Sequence, residues 1–217
     1  MFGGSRFTIL PNAFDIAAFS FDQEARLAIR KRLGIDEGTV VLGNVARLNP
    51  EKNHAFLIEV FERFRELVPS SALIIAGGGS GETRVKGLVE SSPGRDAILL
   101  LGNVANPAKL YSAMDCFVFP SNHEGLGIVL VEAQLSGLPC LVSEGIPRSA
   151  AVSDAFHALA LQSGANVWAE EISALLAEPR KRIAGEFDDP RAKAFDINNS
   201  YPILEFAYRK ALARRCK

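Results

Sequence analysis

Two hydrophobic patterns alternate along the chain. Short runs that are apolar almost throughout, FTIL (7–10), TVVLGNV (39–45), ALIIAG (72–77), AILLLG (97–102), CFVFP (116–120) and PCLVS (139–143), are separated by stretches in which apolar residues recur every three or four positions. A strand buried on both faces has no solvated side on which to place polar residues, so such runs predict strands of a parallel sheet flanked by helices. The intervening stretches predict helices over 22–33, 54–68, 82–91, 107–114, 128–136, 166–177 and 200–215. The clearest is 54–68, which places Phe56, Leu57, Val60, Phe61, Phe64, Leu67 and Val68 on one stripe, with Asn53 as its cap and Pro69 as its stop. Strand and helix in regular alternation predict an α/β fold with a doubly wound parallel sheet, Rossmann-like.

The composition supports a folded globular chain. It has 217 residues, 48% of them hydrophobic and 23% charged, enough apolar side chain for a sizeable core. Lys plus Arg number 24 against 25 Asp plus Glu, a balance that offers no electrostatic footprint for a nucleic-acid partner. No apolar run reaches the roughly 20 residues that span a bilayer, and the first ten residues carry no long apolar signal core. The cysteines Cys116, Cys140 and Cys216 are odd in number and lack metal-ligand spacing, which points to a reducing, cytoplasmic setting with Cys116 and Cys140 as small core residues.

Three segments carry candidate chemistry. Strand 72–76 runs into Gly77-Gly78-Gly79-Ser80-Gly81, but Glu82 and Arg84 stand where a dinucleotide fingerprint needs its third glycine, so a tight strand-to-helix turn that brings backbone close to a ligand is expected instead. In ARLNPEKNH, Arg47 and Lys52 follow the carboxyl end of a strand, where open α/β sheets bind ligands, and the guanidinium fork with a neighbouring ammonium suits a diphosphate. In SNHEGLGIVLVEAQLSGLPCLVS (121–143), Glu124 and Glu132 stand eight positions apart around Gly125 and Gly127, which open a helix. Helix N-terminal N–H groups bind phosphate, whereas carboxylates repel it and accept hydrogen bonds from sugar hydroxyls. Together these suit a nucleotide sugar without singling it out.

The order of motifs narrows this. ILPNAFD (9–15), VARLNPEKNH (45–54), LIIAGGGSGE (73–82), LLGNVANPAKLYSAMDCFVFPSNHEGLGIVLVEA (100–133) and SGLPCLVS (136–143) are co-linear with the motifs of family-4 retaining glycosyltransferases of the GT-B fold. The chain resembles that family over residues 7–177, and the EGLGIVLVEAQLSGLPCLVSEGIP variant is most similar to enzymes of bacterial exopolysaccharide and capsule assembly. The resemblance implies an α/β Rossmann-like second domain of a GT-B enzyme, residues 1–180, which binds the nucleotide-sugar donor. Residues 181–217 would be a tail and helix packing on an N-terminal acceptor domain that has no counterpart in this chain, leaving the chain alone inactive.

Position by position, the resemblance makes Glu124, Arg47 and Lys52 the candidate catalytic residues. The two cations hold the donor diphosphate and Glu124 contacts the transferred sugar. Gly125, Leu126 and Gly127 supply backbone donors, Glu132 binds the ribose hydroxyls and Val104 contacts the base. No cofactor or metal is implied, and the donor is expected to be a UDP-sugar. Ala46 departs from the family's usual glycine, and His123 reads as a loop residue rather than a base. A non-enzymatic nucleotide-binding or interaction subunit completing another chain's site is the alternative; a GT-B epimerase or phosphorylase is a third reading. The final helix, with Ile203, Leu204, Phe206, Ala207 and Leu212 followed by Arg209, Lys210, Arg214, Arg215 and Lys217, reads as an apolar face ending in dipole-compensating cations, or as a peripheral contact with an anionic membrane surface.

Overall fold

The computed structural model describes residues 12–177, 182 and 189–215, with side chains through residue 212. The strand expected at 7–10, the start of ILPNAFD and Cys216 lie outside the described residues, as do the side chains of Arg214, Arg215 and Lys217.

Six strands form one parallel sheet in the order β3-β2-β1-β4-β5-β6: β1 Val40–Val45, β2 Ser71–Ala76, β3 Ile98–Gly102, β4 Cys116–Phe119, β5 Cys140–Ser143 and β6 Phe156–Leu159. Helices α1 Gln23–Leu33, α2 His54–Leu67, α3 Glu82–Ser91, α4 Leu110–Ala113, α5 Ile128–Leu135 and α6 Gly164–Ala177 connect and cover them. The apolar runs face two cores. On β2, Leu73 and Ile75 enter the core with Phe61, Phe64 and Trp168 of α2 and α6, while Ile74 and Ala76 enter the opposite one with Tyr111, Leu130 and Ala133. On β4, Cys116 and Val118 face the first and Phe117 and Phe119 the second. A strand that alternates faces between two dry layers must be apolar at every position.

Several predicted features come out differently. β6 has no β-branched residue in FHAL and sits at the sheet edge, so neither composition nor burial marked it. Asn53 occupies the N-cap of α2 but makes no side-chain cap; it stands at φ 52°, turning the chain out of the Pro50–Lys52 turn. Of the α2 stripe, Leu57, Val60, Phe61 and Phe64 are buried, whereas Leu67 is 52% exposed and His54 and Ile58 are buried in addition.

The winding reverses between β1 and β4, where only Leu42↔Cys116 and Gly43↔Phe117 are in register. Asp115 extends this short junction. Its backbone N–H donates to Val41 O (2.7 Å) and its Oδ2 accepts from Val41 N (2.7 Å). The same carboxylate takes Arg26 Nη2 and Arg30 Nη2 at 2.6 Å each. Arg30, 2% exposed, also donates to Ala113 O, Glu37 O and Thr39 O, which satisfies its buried fork. Asn44 adds a bond from Nδ2 to Val118 O (2.8 Å).

At the other end of the strands, the chain leaving β1 is zipped to the glycine turn leaving β2. Ala46 N donates to Ala76 O (2.9 Å), Leu48 N to Gly78 O (2.9 Å) and Gly81 N to Leu48 O (2.7 Å). Gly77 stands at φ 144°, and a Cβ there would lie 1.8 Å from Ala46 O. The close backbone approach expected of these glycines is therefore made to the Arg47 loop. Residues 189–196, which include the short helix α7 Pro190–Lys193, pack on α5 beside the chain's first described residues: Phe195 and Ala192 join Ile16, Val131 and Leu135, and Phe14 bridges Asp196. The long helix α8, Ile197–Arg215, leaves Tyr201, Ile203, Leu204, Phe206, Tyr208 and Leu212 exposed.

The junction and the turn each generate a stability outcome with its own control. Asp115→Ala leaves two arginines without their carboxylate; urea unfolding is expected to show a loss of about 3 kcal/mol, at the low end for such pairs because Asp115 keeps some solvent access. Glu66→Ala, which removes the exposed Arg63–Glu66 pair, should cost less than about 0.5 kcal/mol. Gly77→Ala is expected to cost about 2 kcal/mol or more through its clash and backbone strain. Gly78→Ala meets only an ordinary 3.6 Å contact with Asn103 Cβ and should leave the unfolding midpoint nearly unchanged.

Candidate functional site

Four loops meet above the carboxyl ends of β1–β4: 46–49, 77–81, 103–106 and 120–127. They flank the crevice opened by the reversal between β1 and β4, the place where open α/β sheets bind ligands. Two adjoining hollows occupy it. One, about 330 Å³, is lined by Ala46, Arg47, Lys52, Phe119 and the run from Glu124 to Val129; the other, about 510 Å³, by Arg47, Gly77 to Gly79, Asn103, Val104 and Val129. Arg47 and Val129 stand at the boundary between them.

The first loop presents Arg47 by alternation. Ala46 and Leu48 are buried, and the zip to the glycine turn holds the backbone extended, so the side chain between them must project outward. Arg47 is exposed, and among the described residues its guanidinium has no partner. Lys52, at the end of the Pro50–Lys52 turn, lines the same hollow. Its amine pairs with Glu124 Oε1 and lies 5.6 Å from the centroid of the Phe119 ring. The two side chains keep only 11% and 15% exposure. The expected basic pair is thus brought to one hollow, where Glu124 neutralises Lys52.

The loop after β4 is tied to the Pro50–Lys52 turn. Ser121 Oγ donates to Glu51 O (3.1 Å) and Asn122 N to Glu51 O (2.8 Å), while Ser143 Oγ on β5 donates to Ser121 O. These bonds fix Lys52 and Glu124 on facing walls. Gly127, at φ 73°, turns the chain into α5 and leaves that helix without a side-chain cap, so its first-turn N–H groups and positive dipole end lie beside the hollow that Ile128 and Val129 line. Leu126 is half-buried, Gly125 exposed. His123 is exposed on the loop between β4 and α5.

Glu132 lines neither hollow. It stands one turn beyond Val129 on the same face of α5, half-buried, and its Oε2 accepts from the Tyr111 hydroxyl at 2.6 Å. Burial pushes its carboxyl above the ordinary glutamate range, and the Tyr111 bond opposes that shift. Tyr111 itself is fully buried and held well above the usual tyrosine range by burial, then by the Glu132 charge. Sequence reasoning did not single out Tyr111; in LYSAMD it reads as one more apolar position of a short helix. Val104 is half-buried on the wall of the larger hollow. His54, buried behind Lys52, has no partner at either ring nitrogen; burial, helped by Lys52, lowers its pKa to about 4, so it adds no positive charge at neutral pH. Among the described residues no three His, Cys, Asp or Glu side chains gather at metal-binding distance, and no helix is long and apolar enough to cross a membrane.

Comparison with known proteins gives the family and the fold. The family model described as glycosyl transferases group 1 matches residues 25–185. A putative glycosyltransferase EpsF of Bacillus subtilis is 34% identical over 184 residues, 82% of this chain and 46% of that protein. The UDP-Gal:alpha-D-GlcNAc-diphosphoundecaprenol alpha-1,3-galactosyltransferase of Escherichia coli is 31% identical over 141 residues, covering 64% of this chain and 36% of its own length. Among solved structures, Anabaena Alr3699/HepE in complex with UDP superposes with a TM-score of 0.77 at 22% identity, over 93% of this chain and 57% of that one. The sucrose-phosphate synthase of Thermosynechococcus elongatus gives 0.78 at 24% identity, over 95% and 53%. The chain spans about half the length of the relatives it matches. Its open six-stranded parallel sheet is Rossmann-like, with GT-B glycosyltransferases as its structural neighbours, and by sequence the chain belongs to the group 1 glycosyl transferases.

Proposed function

We propose that this chain is the C-terminal, donor-binding half of a family-4 retaining glycosyltransferase and that its crevice takes a nucleoside diphosphate sugar, a UDP-sugar first among candidates. The observation that carries this reading is the pairing of walls at the β1–β4 reversal. Arg47 and Lys52 stand on one side, and the uncapped start of α5 with Glu124 stands on the other. Cations and helix N–H groups suit the diphosphate; the carboxylate suits sugar hydroxyls. The UDP bound in the Anabaena neighbour supports the choice of nucleotide.

In this reading Arg47 and Lys52 contact the diphosphate with the α5 N–H groups, Gly125 to Gly127 offer backbone donors to sugar and phosphate, and Glu124 orients the transferred sugar. Glu132 accepts from the ribose hydroxyls, and Val104 contacts the base. As the bond between the anomeric carbon and the diphosphate oxygen breaks, negative charge grows on that oxygen. Two cations and a fixed dipole in a partly dry site stabilise it without reorganising. The nucleoside diphosphate leaves and the sugar passes to an acceptor hydroxyl, whose proton goes to the departing diphosphate oxygen. The acceptor side is assigned to a second domain, so the chain alone binds donor and does not complete transfer. An acceptor of the polysaccharide or lipid-linked class fits this reading, and the diphosphoundecaprenol acceptor in the name of the Escherichia coli relative supports the lipid-linked one. The exposed face of α8 suits contact with that second domain, and its exposed Lys210, with Arg209 paired to Glu205, suits a membrane surface nearby.

The Lys52–Glu124 pair gives the reading an unusual signature. Donor must exchange the pair for two contacts of its own, Lys52 to phosphate and Glu124 to sugar. Calorimetric titration with UDP, GDP and ADP is expected to show saturable binding, tightest for UDP; no saturable binding to any of them up to millimolar concentration overturns the assignment. Glu124→Gln releases Lys52, so UDP alone should bind as well or a few-fold tighter, while the added affinity of UDP-glucose over UDP should fall about tenfold. Equal weakening of both ligands would count against these roles.

A further inference from the structure

We infer that Tyr111 is a positioning residue for the donor site: its hydroxyl holds one oxygen of the Glu132 carboxylate so that the other is presented to the ribose of the nucleotide. This rests on the reading of Glu132 as the ribose-binding acid and extends it to a residue outside the crevice.

The geometry is specific. Tyr111 lies on α4, is wholly buried, and its ring packs between Phe19 (centroids 6.2 Å apart) and Phe117 (5.8 Å). The ring cannot swing away without opening the core, so the hydroxyl is fixed in space. It donates to Glu132 Oε2 at 2.6 Å, a length typical of a charge-assisted O–H···O⁻ bond. Among the described residues Oε1 of the same carboxylate has no partner. A glutamate on a helix has three rotatable bonds. Pinning one oxygen removes most of that freedom before the ligand arrives, which is how pre-organisation raises affinity.

The two helices that carry the pair are also held in register. Arg182 donates to Tyr111 O (3.1 Å) and Met114 O (2.8 Å) at α4 and just beyond it, and to Ser136 O (2.7 Å) and Ser136 Oγ (2.6 Å) at the end of α5. One guanidinium thus staples α4 to α5 on the side away from the crevice. The same contact favours the charged carboxylate, because burial works to protonate Glu132 and the hydroxyl bond works against it. A phenol kept well above its usual range remains a donor throughout the physiological range.

The test uses UDP and its 2′,3′-dideoxy analogue, which lacks the hydroxyls Glu132 is read to bind, on the wild-type chain, Tyr111→Phe, Glu132→Ala and the double variant. Tyr111→Phe keeps the ring, and its melting midpoint is measured alongside. The wild type should prefer UDP to the analogue. Tyr111→Phe should reduce UDP affinity about tenfold, the scale of one charge-assisted hydrogen bond, and leave the analogue's affinity within about twofold. The double variant should bind UDP no more weakly than Glu132→Ala alone, because both changes remove one function. Equal losses for the two ligands in Tyr111→Phe, or multiplicative losses in the double variant, overturn the inference in favour of a merely structural tyrosine. If Glu132→Ala lowers UDP affinity and Tyr111→Phe does not, the ribose reading stands and the inference fails. If the wild type does not distinguish the ligands and Glu132→Ala is silent, the ribose reading itself fails and takes the inference with it.

Discussion

The structure depends on the junction of β1 and β4, where the sheet's winding reverses. Only two residue pairs are in register there, so the sheet would be weakest at the point where the site must be built. Asp115 closes that gap by pairing with Val41 through both backbone and carboxylate, while Arg26 and Arg30 neutralise its charge and bind the carbonyls at the end of α4. The arginines' remaining donors are spent on backbone oxygens, which is what makes a nearly buried guanidinium tolerable. With the amino ends of β1 and β4 locked together, their carboxyl ends can diverge into loops and leave a crevice.

Above that lock the site is built from backbone first and side chains second. The Arg47 loop has its position because three hydrogen bonds and the glycine turn leave it nowhere else to lie. The Glu124 loop is held by Ser121 and Asn122 on Glu51 O. Charge is then balanced by contacts: Lys52 pairs with Glu124 at the crevice, and the neutral Tyr111 hydroxyl donates to the Glu132 carboxylate behind it. In a partly desolvated site an unopposed charge is costly, so an ion pair or a hydrogen-bond donor beside each carboxylate lowers its energy. The near-equality of acids and bases in the whole chain recurs locally, and only Arg47 stands without a partner among the site's described cations.

Much of this was legible from the sequence. Apolar-throughout runs revealed strands buried on two faces, and five of the six strands and most helix boundaries fall within two or three residues of expectation. β6 escaped because FHAL carries neither β-branching nor strict alternation, and an edge strand needs less of either. Leu67 escaped because periodicity marks a face but not where the neighbouring helix ends. Arg47, Lys52, Glu124, Gly125, Gly127 and Glu132 were marked by motif spacing, Leu126 and Val104 only by the family resemblance; all but two of them line one hollow, with Val104 in the next and Glu132 in neither.

By itself, then, the sequence settled the layer architecture, the order of the motifs and the chemical types that meet at the carboxyl ends of the strands. All of these follow from local propensity and from the rule that parallel strands deliver their following loops to one edge. Tertiary structure alone decided the pairings: that the glycine turn approaches the Arg47 loop, that Lys52 turns to Glu124, and that Tyr111 holds Glu132. Those contacts join residues 21 to 72 positions apart on different elements. Their energies depend on distances and burial, which no one-dimensional pattern records.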